Sequence, residues 1–169
     1  NKNKNIYFSS KNLKSLQENN FDLIISMFNV VNYFNDLKKL TSFFKDIKKK
    51  TSKNSLFIFD AWNGSFNFNN KIVEEERILK NKNFILINRI KSIKKSLSKK
   101  ISLYYEININ FFKKNKKIKI NKVLTQYLWN PKEIMNALIM AGFKSIVIKK
   151  SFSNKSFSEK DLKIIFLVS

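Results

Sequence analysis

FDLIISMFNVVNYFNDLKKLTSFFKDIKKKTSKNSLFIFDAWNG, running from Phe21 to Gly64, sets two short apolar runs on either side of a helical pattern. Phe21 to Ser26 and Ser55 to Asp60 are too short for helices and lack alternation, which suits strands buried on both faces of a parallel sheet. Between them Leu37, Leu40, Phe44 and Ile47 recur at helical spacing behind a cap at Asn35 or Asp36. Lys38, Lys39, Lys45 and Lys48 to Lys50 take the opposite face, the last three where the helix dipole favours cations. Strand, helix, strand implies a right-handed crossover between parallel neighbours. Ligands of open parallel sheets bind beyond the carboxyl ends of the strands, here Ser26 to Tyr33 and Asp60 to Gly64.

Beyond Gly64 the pattern changes. Ile101, Leu103, Tyr105, Ile107, Ile109 and Phe111 alternate with polar residues, which predicts a long strand with one dry face. Lys117 to Tyr127 reads as its hairpin partner, and Lys71 to Leu79 and Phe84 to Ile93 as two more strands joined near Lys80 to Asn83. Residues 65–129 therefore read as an antiparallel sheet inserted into a single α/β domain spanning 1–169. Asn130-Pro131-Lys132-Glu133 then opens a helix with an N-cap, proline at the first helical position and a capping box. Ile134, Ala137, Leu138 and Ala141 face inward, and Gly142 ends the helix in a left-handed conformation. Ser145 to Lys149 and Lys163 to Val168 close the chain as two strands separated by a polar loop, Ser151 to Asp161.

A chain of 169 residues that is 43% apolar can bury the core of one domain. Its formal net charge of +22 ordinarily marks nucleic acid or anionic membrane as a partner. Here the lysines are spread along the chain together with inflated Asn, Ile and Phe, as in A/T-biased coding. Arginine, best suited to bidentate phosphate contacts, is limited to Arg77 and Arg89. The chain has no cysteine and no histidine, which excludes disulfides, Cys/His zinc clusters and imidazole catalysis, and no metal site is expected. No apolar segment approaches the roughly 20 residues of a membrane span and no signal peptide opens the chain, so a cytoplasmic location is expected.

The segments FDLIISMFNVVNY, LFIFDAWNG and WNPKEIMNALIMAGF resemble the C-terminal half of a class I S-adenosylmethionine-dependent methyltransferase. They are most similar to members acting on small molecules and sugars, in which an FHVxxY-like fourth strand precedes an FIFDxWxG-like fifth. The resemblance implies a partial Rossmann-like sheet, strands three to seven of the family's order, with Ile6 to Phe8 as the end of strand three. It implies S-adenosylmethionine as cofactor and a small-molecule or sugar-type methyl acceptor. Ser26, Met27, Phe28 and Asn29 would lie under the sulfonium, and Ser10 or Asn12 would replace the missing acid that faces adenine. Asn29 stands where a histidine is common, so it can orient an acceptor but cannot take its proton. Asp60 is either a catalytic acid at a strand end or a residue that caps its own turn. Tyr33, Trp62 and Asn63 would wall the acceptor pocket or pack, and Arg89, Tyr105, Gln126 and Tyr127 would reach it from the inserted sheet if its register allows.

With glycine only at positions 64 and 142, these residues contain no glycine-rich loop of the kind that cradles the cofactor. The chain opens on Asn1 without methionine, so a truncated frame or a piece of a longer protein is expected, inactive by itself. Phe21 to Ser26 would then be an apolar edge strand prone to self-association. A basic RNA-binding module and a non-catalytic partner subunit remain as alternatives.

Overall fold

The structure, a computed structural model, describes residues 13–66, 73–94, 99–112 and 116–169. Ile6 to Phe8, Ser10 and Asn12 lie outside the described residues, as do Lys71 and Ile72. The strand, helix and strand form as β1 (Phe21–Ser26), α1 (Leu37–Lys50) and β2 (Thr51–Trp62), with β1 parallel to β2. Asp36 is the cap, its carboxylate accepting from the N–H groups of Lys38 and Lys39 at 2.6 and 3.3 Å. Those are two of the donors that a helix start leaves without partners.

β2 pairs on its other side with β8 (Lys163–Val168), antiparallel, and β8 with β7 (Ile146–Lys150), giving the order β1-β2-β8-β7. The helix α2 (Pro131–Met140) starts on the expected capping box, with Asn130 accepting from Lys132 N–H and Glu133 from Asn130 N–H, both at 2.9 Å. Gly142, at φ 93°, ends it as a left-handed residue. Alternate residues of β2 and β8 face the helices, so Phe57, Phe59 and Phe166 meet Leu40, Phe44, Ile134 and Leu138 in one core. Ring centroids lie 4.9 Å apart for Phe57 and Phe59, and 4.7 Å for Phe59 and Phe166. Five of the 17 phenylalanines, Phe44, Phe57, Phe59, Phe143 and Phe166, are buried in this core, where each ring removes about 150–250 Å² from water.

Two expectations are corrected. β1 is buried on one face only, with Leu23 50% and Ile25 57% exposed, because α1 and α2 pack on the same side of the sheet. Leu37 is exposed, because the aromatic core begins further along α1, where Phe44 meets Phe57 and Phe59.

Between β2 and α2 the chain builds a second sheet, an antiparallel meander of β3 (Val73–Lys80), β4 (Phe84–Lys94), β5 (Lys100–Phe111) and β6 (Lys116–Tyr127). The expected dry face of β5 is dry only at Ile101 and Leu103, which pack with Trp62 and Leu128. From Tyr105 onward the face is half-buried, since this cluster reaches no further along the strand. Among the described residues no helix is long and apolar enough to cross a membrane.

Buried polar groups join the two sheets. Asn32 is wholly buried, accepts from Trp62 N–H at 3.0 Å and donates to the Tyr127 carbonyl at 2.7 Å. Gly64 N–H donates to the Trp129 carbonyl at 2.9 Å, and a Cβ on Gly64 would stand 2.3 Å from that oxygen, so the approach requires glycine. Removing the Asn32 amide strands a buried N–H and a buried C=O, each at a cost of about 1–3 kcal/mol. Asn32→Ala is expected to lower unfolding stability in urea by at least that for one group, whereas a surface change such as Asn54→Ala leaves it within about 0.5 kcal/mol.

Candidate acceptor site at the strand ends

The carboxyl ends of β1 and β2 open onto the inner face of the second sheet, enclosing a cleft of about 490 Å³. After Ser26 the chain leaves the sheet at Met27 and reverses through two consecutive left-handed residues, Phe28 at φ 71° and Asn29 at φ 56°, into a 3-10 turn at Val30–Tyr33. The reversal brings Asn29 N–H to 2.8 Å from Asp60 Oδ1, tying one strand end to the other.

Asp60 is buried, and burial pushes its pKa above the ordinary value. The N–H groups of Asn29, Asp60 and Phe28 and the charge of Lys163 pull the other way without overcoming desolvation. A carboxyl in this state accepts a proton more readily than a solvated one. Beside it, the buried Asn29 Oδ1 has no hydrogen-bond partner among the described residues, and neither has Asn88 Oδ1 across the cleft. Both are acceptors, so the cleft offers its unmet hydrogen-bonding capacity to a donor.

Trp62 lies two residues beyond Asp60 and therefore on the same sheet face. Its indole N–H donates to Gln126 Oε1 at 2.5 Å, and the Lys163 ammonium stands 4.7 Å from its ring centroid. The register of the second sheet decides the rest. Arg77, Asn88 and Ile107 form one cross-strand row and Glu76, Arg89 and Glu106 the next, and successive rows face opposite sides. Arg77, Asn88, Tyr105 and Gln126 accordingly line the cleft, whereas Arg89 lies on the outer face between Glu76 and Glu106. A second hollow, of about 610 Å³, occupies that outer face, but Glu74–Lys91, Glu76–Arg89 and Glu106–Lys119 pair among themselves there.

Of the residues singled out from sequence, the structure gathers Met27, Phe28, Asn29, Asp60, Trp62, Tyr105 and Gln126 around one cleft. Ser26 ends β1 one residue short of the lining. Tyr33 is exposed at the end of its turn, and Tyr127 packs its ring 4.5 Å from that of Trp129. Asn63 is wholly buried; its amide donates to the carbonyls of Ser158 and Asp161 and accepts from Ser65 N–H, holding a loop. Arg77, Asn88, Phe152 and Lys163 line the cleft and escaped the sequence. The signal for Arg77 was the Asn81–Asn83 turn, which puts Arg77 and Arg89 on opposite faces of the hairpin.

No protein-family model matches the sequence, and no curated protein matches it at the sequence level. Among solved structures, an S-adenosylmethionine-dependent methyltransferase from Clostridium acetobutylicum superposes with TM-score 0.68 at 16% identity over 95% of this chain and 63% of its own. The amino pentose methyltransferase CalS10 from Micromonospora echinaspora, with S-adenosylmethionine bound, gives 0.64 at 8% over 94% and 63%. The sugar N-methyltransferase KedS8 from Streptoalloteichus gives 0.69 at 10% over 93% and 60%. The chain thus has the fold of class I S-adenosylmethionine-dependent methyltransferases and spans 60–63% of the length of these three.

The raised pKa of Asp60 has a sign. The folded chain holds a proton there that the unfolded chain releases nearer 3.8, so the group's unfavourable contribution is full above its folded pKa and fades as pH falls through it toward 3.8. Asp60→Asn is expected to raise Tm at neutral pH and to flatten the pH dependence of stability just above the ordinary carboxylate range. A lower Tm at pH 7 contradicts this.

Proposed function

We propose that this chain is the acceptor-binding portion of an S-adenosylmethionine-dependent methyltransferase that acts on a small, sugar-type amine. The observation that carries the proposal is the desolvated carboxylate of Asp60 at the strand ends, flanked by the unpaired acceptor oxygens of Asn29 and Asn88. An amine brings the N–H donors these oxygens lack, and methylation leaves it with a proton to lose. Asp60 would orient the amine through its N–H and accept the proton that nitrogen sheds as the methyl passes to it from sulfur, the methyl–sulfur bond breaking as the methyl–nitrogen bond forms. Arg77 and Gln126 face the same space from the second sheet and suit the hydroxyl groups of a sugar.

In this reading the sheet β1-β2-β8-β7 corresponds to strands four, five, seven and six of the methyltransferase order, and β3 to β6 are an insertion after strand five. The bound cofactor supplies an electrophilic methyl group. The residues fit it in part: Met27 offers a soft apolar surface at the end of β1. The glycine-rich loop belongs to a segment outside these residues, so the 169 residues alone are proposed to be inactive. The exposed Leu23 and Ile25 of β1 favour a second role for this strand, pairing with that segment or with another copy of the chain.

Joined to a glycine-rich half, the chain is expected to methylate an amino sugar such as glucosamine, with Asp60→Asn lowering kcat about 10²- to 10⁴-fold at unchanged fold. A completed protein that binds no S-adenosylmethionine, or an Asp60→Asn variant of undiminished kcat, refutes the proposal.

A further inference from the structure

Two phenylalanines at the mouth of the cleft sit in left-handed conformations that bulky residues rarely adopt. Phe28 is 79% exposed and Phe152 is 87% exposed, with backbones at φ 71° and φ 55°. The left-handed region crowds the side chain of any residue that has a Cβ, and bulky residues are uncommon there. Phe152 is the third residue of a turn closed by Ser153 N–H donating to the Lys150 carbonyl at 3.2 Å, a position where positive φ selects glycine or asparagine. Neither ring belongs to either apolar core cluster. Both line the cleft, from different parts of the chain: Phe28 from the end of β1, Phe152 from the turn between β7 and β8.

Backbone strain of this kind persists at binding sites, where the side chain it presents is needed. A large ring left in water at a cleft is also unlike a large ring left on open surface, because a ligand seated in the cleft can cover it. The polar groups described above lie on the cleft's other walls: Asp60 and Asn29 at the strand ends, Asn88, Arg77 and Gln126 on the second sheet. The cleft thus combines hydrogen-bonding walls with an aromatic mouth.

We propose that Phe28 and Phe152 are ring-binding lips, which select acceptors whose amine is carried on a body that includes an aromatic or apolar ring. The amine end of this ligand rests on the function proposed above; the ring end rests on the two phenylalanines. Stacked or edge-on contact between rings adds selectivity to the area it covers, and together the lips are expected to give about a tenfold preference.

Three probes separate the two ends: 4-nitrophenyl glucosaminide, free glucosamine and 4-nitrophenyl glucoside, titrated calorimetrically into the 169-residue chain. The aryl amino sugar is expected to bind about tenfold more tightly than glucosamine. Phe28→Ala combined with Phe152→Ala should erase that preference, bringing the affinities for the two amino sugars to a ratio of about one. Phe28→Gly and Phe152→Gly should lose it too, at equal or higher Tm, because glycine relieves the left-handed strain. Equal affinity for the two amino sugars, no measurable binding of the aryl amino sugar, a preference that survives the double variant, or a fall in Tm with glycine overturns the lips. If the aryl glucoside binds as tightly as the aryl amino sugar, and still through the phenylalanines, the lips stand and the amine assignment at Asp60 is what fails.

Discussion

The side chain of Asn32 holds the two sheets against each other, and the cleft exists because of it. One amide reaches the Trp62 N–H at the end of β2 and the Tyr127 carbonyl at the end of β6, from a turn that itself follows β1. Two strand ends, one from each sheet, are thereby fixed within hydrogen-bonding distance of one buried group. An apolar residue of the same size would leave both backbone groups without water or partner, so the joint has to be polar. Around it, the Trp62 indole bonded to Gln126, the Trp129 indole bonded to the Phe34 carbonyl and the tight Gly64 approach to Trp129 close the remaining gaps.

With the layers fixed, the local chemistry follows from burial more than from net charge. A chain of +22 places a cationic potential around its carboxylates, which alone would lower the pKa of Asp60. Desolvation outweighs it, although the Lys163 ammonium acts on Asp60 as a near cation. Most of the lysines lie on the solvated surface, where salt at physiological strength screens them beyond about 8 Å. An amine entering the cleft therefore meets long-range repulsion that salt weakens and short-range attraction that salt hardly touches. The same surface explains why the hollow on the outer face is a poor site: its acids and bases satisfy one another.

Much of the fold was legible in the sequence because it is written in local patterns. The helical spacing of Leu40, Phe44 and Ile47, the capping box from Asn130 and the left-handed Gly142 each carry their own geometric cause, and each appears where expected. Alternation along β5 announced a strand but could not say how far along its length another layer would cover it. The burial of β1 was overestimated for a related reason: an apolar run reports that burial is favourable, not that this chain supplies both covers. The site was legible where it lies at strand ends, as at Asn29, Asp60 and Trp62. Arg77 and Asn88 depend on hairpin register, and Phe152 on a turn dihedral that no residue pattern encodes, whereas Phe28 was marked by its place just after β1. Asn32, one asparagine among many, becomes distinctive only when the ends of β2 and β6 converge on it.

The central claim is that the cleft between the strand ends and the inner face of the second sheet receives an amine at Asp60. Nitrogen-15 NMR of the chain titrated with glucosamine tests it directly. The backbone amides of Phe28, Asn29 and Asp60, the Trp62 indole and the Gln126 side-chain amide are expected to shift together along one binding curve, and glucose is expected to produce no such curve. Shifts confined to the outer face, at Arg89, Tyr104 and Val123, or an equal response to glucose, would contradict it.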